Sequence, residues 1–307
     1  METNFIFYLY KGLCPANIGY NTLANGDYDD MKYSLCITSP EISKPFAFSM
    51  MGGSFEKKLS DMKAFGYSAI ELLPGFPKEC DVEYVRRICR ENGLAVSDIS
   101  SGAITTVTGF TLLNRDRTVR KEAAAVFSDM IDLASRFGVG VVTIGAFRGW
   151  AKDVGTVEDG YSVIAELLSS VDGKLRDNDV KVALEPVNRG QTDIFNTCDE
   201  TLSFIDRCGS ANVGVLYDTY NAYMTEDDPA WALKSVLTGE DSLLHFHIAD
   251  SDRLIPGEGK IDFLPLLRLL KECGYDGYLS GELNRGDDPT MTGKKIIEAM
   301  QRFEECI

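Results

Sequence analysis

The only two histidines of the chain, His245 and His247, sit two residues apart in SLLHFHIADSDRLIPGEG, residues 242–259. On a strand that spacing turns both imidazoles to one face and leaves Leu244, Phe246 and Ile248 on the other. An imidazole at the end of an apolar strand, just before a charged loop, suits a metal ion or a proton; a lone histidine is as often a satisfied core group. Three carboxylates have a matching position. Glu185 ends VKVALE, Asp218 ends NVGVLYD, and Glu282 stands near the end of GYLSGEL. Strand parity supports a common destination. Ala183 shares a face with Glu185, Gly214 and Leu216 with Asp218, and Ser280 with Glu282, while bulkier neighbours such as Val182, Leu184, Val215, Tyr217 and Leu279 take the opposite face. Three oxygen donors and one imidazole suit one hard or borderline divalent ion, Mn²⁺, Mg²⁺ or Co²⁺, better than a structural zinc. A single acid would more readily cap a helix or pair with an arginine. Four such groups on consecutive strands point to a shared cation, because buried acids without a partner are costly.

The elements that must position them alternate without a break. Short apolar runs read as strands at 33–38, 67–73, 94–100, 139–145, 180–185, 212–218, 243–249 and 277–283. Helical patterns fall near 54–65, 81–92, 116–137, 158–176, 197–208, 228–238, 262–273 and 289–305. Val126, Phe127, Met130, Ile131 and Ala134 form the apolar stripe of a helix lying on a sheet. Glycines at 66, 93, 138, 209 and 274 stand where helices must end. Eight strands alternating with eight helices give a parallel sheet, and closed on itself this is a single (β/α)8 TIM barrel. An open doubly wound sheet would carry a glycine-rich phosphate loop after its first strand, and Gly52-Gly53 is not one. In the barrel reading, chemistry belongs where the strands end. Residues 1–30 lack this patterning and are expected to be an N-terminal extension, with Met31 a candidate natural start; residues 31–307 form the barrel domain.

Composition narrows the function. A net charge of −16 argues against a nucleic-acid surface, which needs a basic footprint. No apolar run approaches a membrane span, and the N-terminus lacks the basic start of a signal peptide. The eight cysteines contain no Cys-x-x-Cys pair, so reduced thiols in a cytoplasmic protein are the expectation. A homo-oligomer is left open.

The sequence resembles the xylose-isomerase-like barrel superfamily of sugar isomerases and epimerases, nearest the ketose 3-epimerase type, over about 32–300. The resemblance rests on E-P-x-N-R at 185–189, D-T-Y at 218–220, H-x-H…R with P-G-x-G at 245–259, and G-E-L at 281–283. It implies a divalent metal held by Glu185, Asp218, His247 and Glu282, with Glu185 and Glu282 as the acid/base pair. Proton transfer on a ketose, phosphorylated or not, would then run through a metal-stabilised enediolate, and either epimerisation or aldose–ketose isomerisation could follow. The resemblance also implies that Arg253 holds substrate oxygens. Two positions depart from the ketose 3-epimerase pattern: Gln191 replaces a glutamate and Asn221 replaces a histidine, both at substrate-contacting positions. Both can still bond hydroxyls, but neither titrates at neutral pH. Asn188 and His245 complete the expected substrate contacts, with Asn188 and Arg189 alternatively bracing Glu185. Arg148 and Trp150 are candidates to line the mouth, 101–115 is a candidate lid, and Glu71 is expected to reach the site or pair with a helix. The alternatives are a keto-inositol dehydratase on the same barrel, a DNA-repair endonuclease of the superfamily, disfavoured by the few histidines and the charge, and a sugar-binding protein without turnover.

Overall fold

The computed structural model describes residues 31–42, 46–239 and 242–307. The expected extension at 1–30 lies outside the described residues. Eight strands, all parallel, close into a barrel in sequence order. They are β1 (Lys32–Thr38), β2 (Ala69–Leu73), β3 (Ala95–Ile99), β4 (Val141–Ile144), β5 (Lys181–Leu184), β6 (Val213–Asp218), β7 (Leu243–Ile248) and β8 (Tyr278–Gly281). The expected helices are present, from Phe55–Phe65 after β1 to Pro289–Glu304 after β8. Phe127, Met130, Ile131 and Ala134 of the long helix Arg117–Phe137 are buried, as the stripe requires. Helices Phe55–Phe65 and Arg117–Phe137 end on Gly66 (φ 99°) and Gly138 (φ 70°), in the left-handed conformation that glycine adopts without strain. Two short helices lie within stretches read as loops, Ile104–Thr108 and Thr219–Thr225. No helix among the described residues is long and apolar enough to cross a membrane.

The apolar core lies between sheet and helices. Leu35, Ile37, Ile70, Leu72, Val182, Leu184 and Val215 face outward and are fully buried, and Tyr217 stacks on Phe246 at 5.3 Å. The inside of the barrel is polar on one side. Register sets Ser34 beside Ser280, Ser280 beside His247, His247 beside Asp218, and Cys36 beside Glu71. Two bulges adjust this lining. On β3, Val96 pairs with Ile70 but Asp98 pairs with Glu71, so Ser97 is the extra residue. On β7, Leu243 pairs with Val215 but His245 pairs with Leu216, so Leu244 is the extra residue. Each bulge turns the next residue, Asp98 or His245, into the barrel. Leu244 therefore does not share the regular outer face of Phe246 and Ile248.

Arg148 fixes the rim between β4 and β5. It does not line the mouth: it is 0% exposed, and its guanidinium lies 5.2 Å from the Phe195 ring. It donates to the carbonyls of Ile144 (2.9 Å), Gly145 (3.0 Å), Ile194 (3.3 Å), Phe195 (3.2 Å) and Glu185. One side chain thus ties the strand that ends in Glu185 to the returning loop. Arg148→Met keeps the bulk but strands those carbonyls, and is expected to cost about 3–5 kcal/mol in urea unfolding. A loss below about 1 kcal/mol would mean that water replaces the clamp.

Candidate metal-binding active site

Glu185, Asp218, His247 and Glu282 each offer one donor atom, and these atoms lie within 4.8 Å of one another at the C-terminal rim. All four are buried, at 7%, 2%, 1% and 8% exposure, which brings three carboxylates together away from water. His247 Nδ1 faces Asp218 Oδ2 and Glu282 Oε2, each at 3.7 Å, and is buried without a hydrogen-bond partner among the described residues. Its other nitrogen, Nε2, lies 3.0 Å from Glu71 Oε2. With the proton on Nε2, Glu71 orients the ring and leaves the Nδ1 lone pair directed at the three acids, a carboxylate–histidine arrangement common behind metal ligands. An orphaned nitrogen among three buried carboxylates fits a divalent cation.

The surrounding residues hold the acids in place. Asn221 Nδ2 donates to Glu185 Oε1 at 2.8 Å, and the Asn221 backbone N–H donates to Asp218 Oδ1 at 2.7 Å. Asn188 donates to Asn221 Oδ1 from its side-chain amide at 2.9 Å and from its backbone N–H at 3.2 Å. The two asparagines expected at the substrate are thus braces for Glu185, and Asn221 is only 1% exposed. Asp218 also caps the helix Thr219–Thr225, so it combines the capping role with a place in the cluster. Gly145 gives Glu185 its room, since a Cβ there would collide with Oε2. Arg253, expected on substrate oxygens, lies between the rings of Phe48 and Tyr220, 4.9 Å from each, and donates through Nη1 to Glu282 Oε2 at 2.5 Å. Gln191 is half-buried in a turn, its N–H bonded to the carbonyl of Asn188 at 2.9 Å. Lys152 sits over Trp150 at 3.7 Å. The 101–115 segment is tied down by Leu112 and Leu113, whose N–H groups donate to the carbonyls of Phe147 and Arg148.

His245 is placed below this cluster rather than at the substrate mouth. Its Nε2 lies 3.2 Å from Glu71 Oε2 and 3.4 Å from Asp98 Oδ1. Glu71, Asp98 and His245 form a second buried group one barrel layer deeper. Asp98 is the residue that sequence reasoning passed over. An acid within the otherwise apolar LAVSDIS was the available signal, and the bulge that turns it inward has no simple sequence signature.

Electrostatics follow from this crowding. Burial, with Glu282 and Asp218 adding to it, pushes Glu185 up to about 8. Burial alone would lower His247, but Glu71, Asp218 and Glu282 outweigh it and hold the imidazole well above its usual range. Burial would raise Asp218, yet Arg253 and His247 keep it below the ordinary carboxylate value. Burial and the neighbouring Glu71 carboxylate push Asp98 up to about 7. Without a cation, Glu185 and His247 therefore carry protons near neutrality that a metal must displace. Apparent affinity for Mn²⁺ is expected to climb up to about tenfold per pH unit for each proton displaced, and Glu185's share to level off above about pH 8. Calorimetry in buffers of different ionisation enthalpy measures both affinity and protons released. A pH-independent affinity with no proton release would show that neither residue holds a proton for the metal to displace.

The chain matches the family described as "Xylose isomerase-like TIM barrel" over residues 59–306. It is 23% identical over 232 residues to the D-psicose 3-epimerase of Enterocloster bolteae, covering 73% of this chain and 74% of that protein. To the ketose 3-epimerase of Arthrobacter globiformis it is 29% identical over 223 residues, covering 69% and 71%. A more local match is 37% identical over 109 residues to the 3-dehydro-D-guloside 4-epimerase of Escherichia coli, covering 35% of this chain and 40% of that one. The fold is similar to the crystal structure of 3-keto-D-glucoside 4-epimerase from E. coli, with TM-score 0.73 and 21% identity over 90% of this chain and 100% of that one. With the family matched over 59–306, from within the first helix past the end of the last, this chain belongs to the xylose isomerase-like TIM barrel family.

Proposed function

We propose that this chain is a divalent-cation-dependent sugar epimerase that inverts a hydroxyl-bearing carbon next to a ketone, with Glu185 and Glu282 as its acid/base pair. The catalytic unit is the barrel of residues 31–307, and residues 1–30 are an extension to it. The observation that carries the reading is the position of the two glutamates. They arise from β5 and β8, on different sides of the rim, yet both reach one buried cluster whose donor atoms lie within 4.8 Å of one another. The names of the relatives are consistent with one chemistry: carbon 3 of a ketose and carbon 4 of a 3-keto sugar both adjoin a carbonyl.

A divalent ion held by Glu185, Asp218, His247 and Glu282 would supply Lewis-acid stabilisation of negative charge on the ketone oxygen. The chain's own groups do the rest. One glutamate takes the proton from the carbon beside the ketone, and the C–H electron pair shifts toward the carbonyl oxygen to give an enediolate. The other glutamate, protonated at the start of the step, gives its own proton to the opposite face, so the carbon is inverted and the two carboxyls end with their protonation states exchanged. Arg253 holds Glu282 in position through Nη1, and Asn221 holds Glu185 through Nδ2. The burial of both carboxyls limits proton exchange with bulk water while the enediolate lasts. Mn²⁺, Mg²⁺ and Co²⁺ all match the donor set.

A keto-glycoside is the second reading for the substrate. It is favoured by the 37% local identity to a 4-epimerase of a dehydro-guloside, and by the departures at Gln191 and Asn221 from the ketose 3-epimerase pattern. Incubating the metal-loaded protein with ketoses and 3-keto-glucosides in heavy water tests both. Inversion with deuterium entering at the inverted carbon is expected, and loss of water from the product would instead indicate a dehydratase. Glu282→Gln is expected to slow exchange by at least about a hundredfold, and exchange at the wild-type rate would remove Glu282 from proton transfer.

A further inference from the structure

We propose that Glu71, Asp98 and His245 form a second cation site for a first-row divalent ion, one barrel layer beneath the rim cluster. All three side chains are buried, at 0%, 0% and 2% exposure, and each offers a donor atom within 4.8 Å of the others. His245 Nε2 faces two carboxylate oxygens at once, Glu71 Oε2 at 3.2 Å and Asp98 Oδ1 at 3.4 Å. A single imidazole N–H can point at only one of them. Donors held about 2.1 Å from a shared ion stand about 3.0–3.4 Å apart, so the two separations fit ligation as well as hydrogen bonding.

The oxygens on the far side of each carboxylate supply the independent observation. Glu71 Oε1 and Asp98 Oδ2 are buried and have no hydrogen-bond partner among the described residues. Two more inward groups on neighbouring strands, Ser34 Oγ and Ser280 Oγ, are in the same condition. Protein interiors rarely leave such atoms unsatisfied, and an unseen ion with its water is one of the standard reasons. The donor set of one imidazole and two carboxylates suits Mn²⁺, Co²⁺ or Zn²⁺. Both bulges of the barrel fall one residue before a member of this trio, Ser97 before Asp98 and Leu244 before His245. Glu71 links the layers, because the same Oε2 that meets His245 also meets His247 of the rim set.

The experiment is metal content by mass spectrometry after loading the full-length protein with Co²⁺ and removing excess, paired with anomalous scattering from crystals. Wild type is expected to hold two equivalents per chain, with one anomalous peak at Asp98 and one at Asp218. Asp98→Ala is expected to keep only the rim ion, and Asp218→Ala only the inner one. Asp98→Asn, which retains the side chain's size and the contact to Ser97, serves if the alanine variant does not fold. A single equivalent in wild type that Asp218→Ala abolishes would overturn the inner site. So would a second equivalent that both Asp98 variants leave unchanged. Loss of rim binding alone would count against the proposed function and leave the inner site standing.

Discussion

Burying carboxylates inside a closed barrel is the constraint on which this structure turns. Glu71, Asp98, Glu185, Asp218 and Glu282 come from five strands around the barrel, and all are withdrawn from water. Charge in such surroundings must be matched by protons, by cationic side chains or by bound ions. Arg253 answers part of this demand at Glu282 and Asp218, and the two imidazoles bridge the acids above and below. The rest of the rim is arranged around what remains. The asparagine pair fixes one carboxylate, the missing Cβ of Gly145 leaves it room, and the Arg148 clamp holds the backbone from which it projects.

This arrangement also explains how substitutions at two family positions can be accommodated. Asn221 stands where the ketose 3-epimerase pattern has a histidine, and its amide is spent on Glu185 and Asn188. It fixes the Glu185 carboxylate and brings no charge of its own to the cluster. Gln191 lies on a half-buried turn and likewise adds no charge. Both positions follow the ends of barrel strands, where a rigid scaffold tolerates change.

The barrel was legible because alternation of short apolar strands and amphipathic helices is written locally, and because Glu185, Asp218, His247 and Glu282 fall at or near strand ends where parity could be counted. The inner layer was harder to read. Asp98 and His245 owe their orientation to bulges, and a bulge depends on pairing with a neighbouring strand about twenty-five residues or more away in sequence rather than on residue type. Arg148 follows the fourth strand, a position that points to the mouth, and nothing local shows that five carbonyls converge on it. Asn188 and Asn221 lie beside Glu185, one behind the other. Their mutual hydrogen bond is a tertiary contact, so their role as braces could not be read from either segment alone.

The extra residues at Ser97 and Leu244 have a consequence for how such a barrel can change over time. In an uninterrupted strand a shift of one residue would reverse every side chain, so foundation and working end would have to be selected together. An inserted residue breaks that dependence. The lower half of the strand can remain fixed by its fit to the helices while the upper half acquires new functional groups, and each can then accept substitutions without disturbing the other.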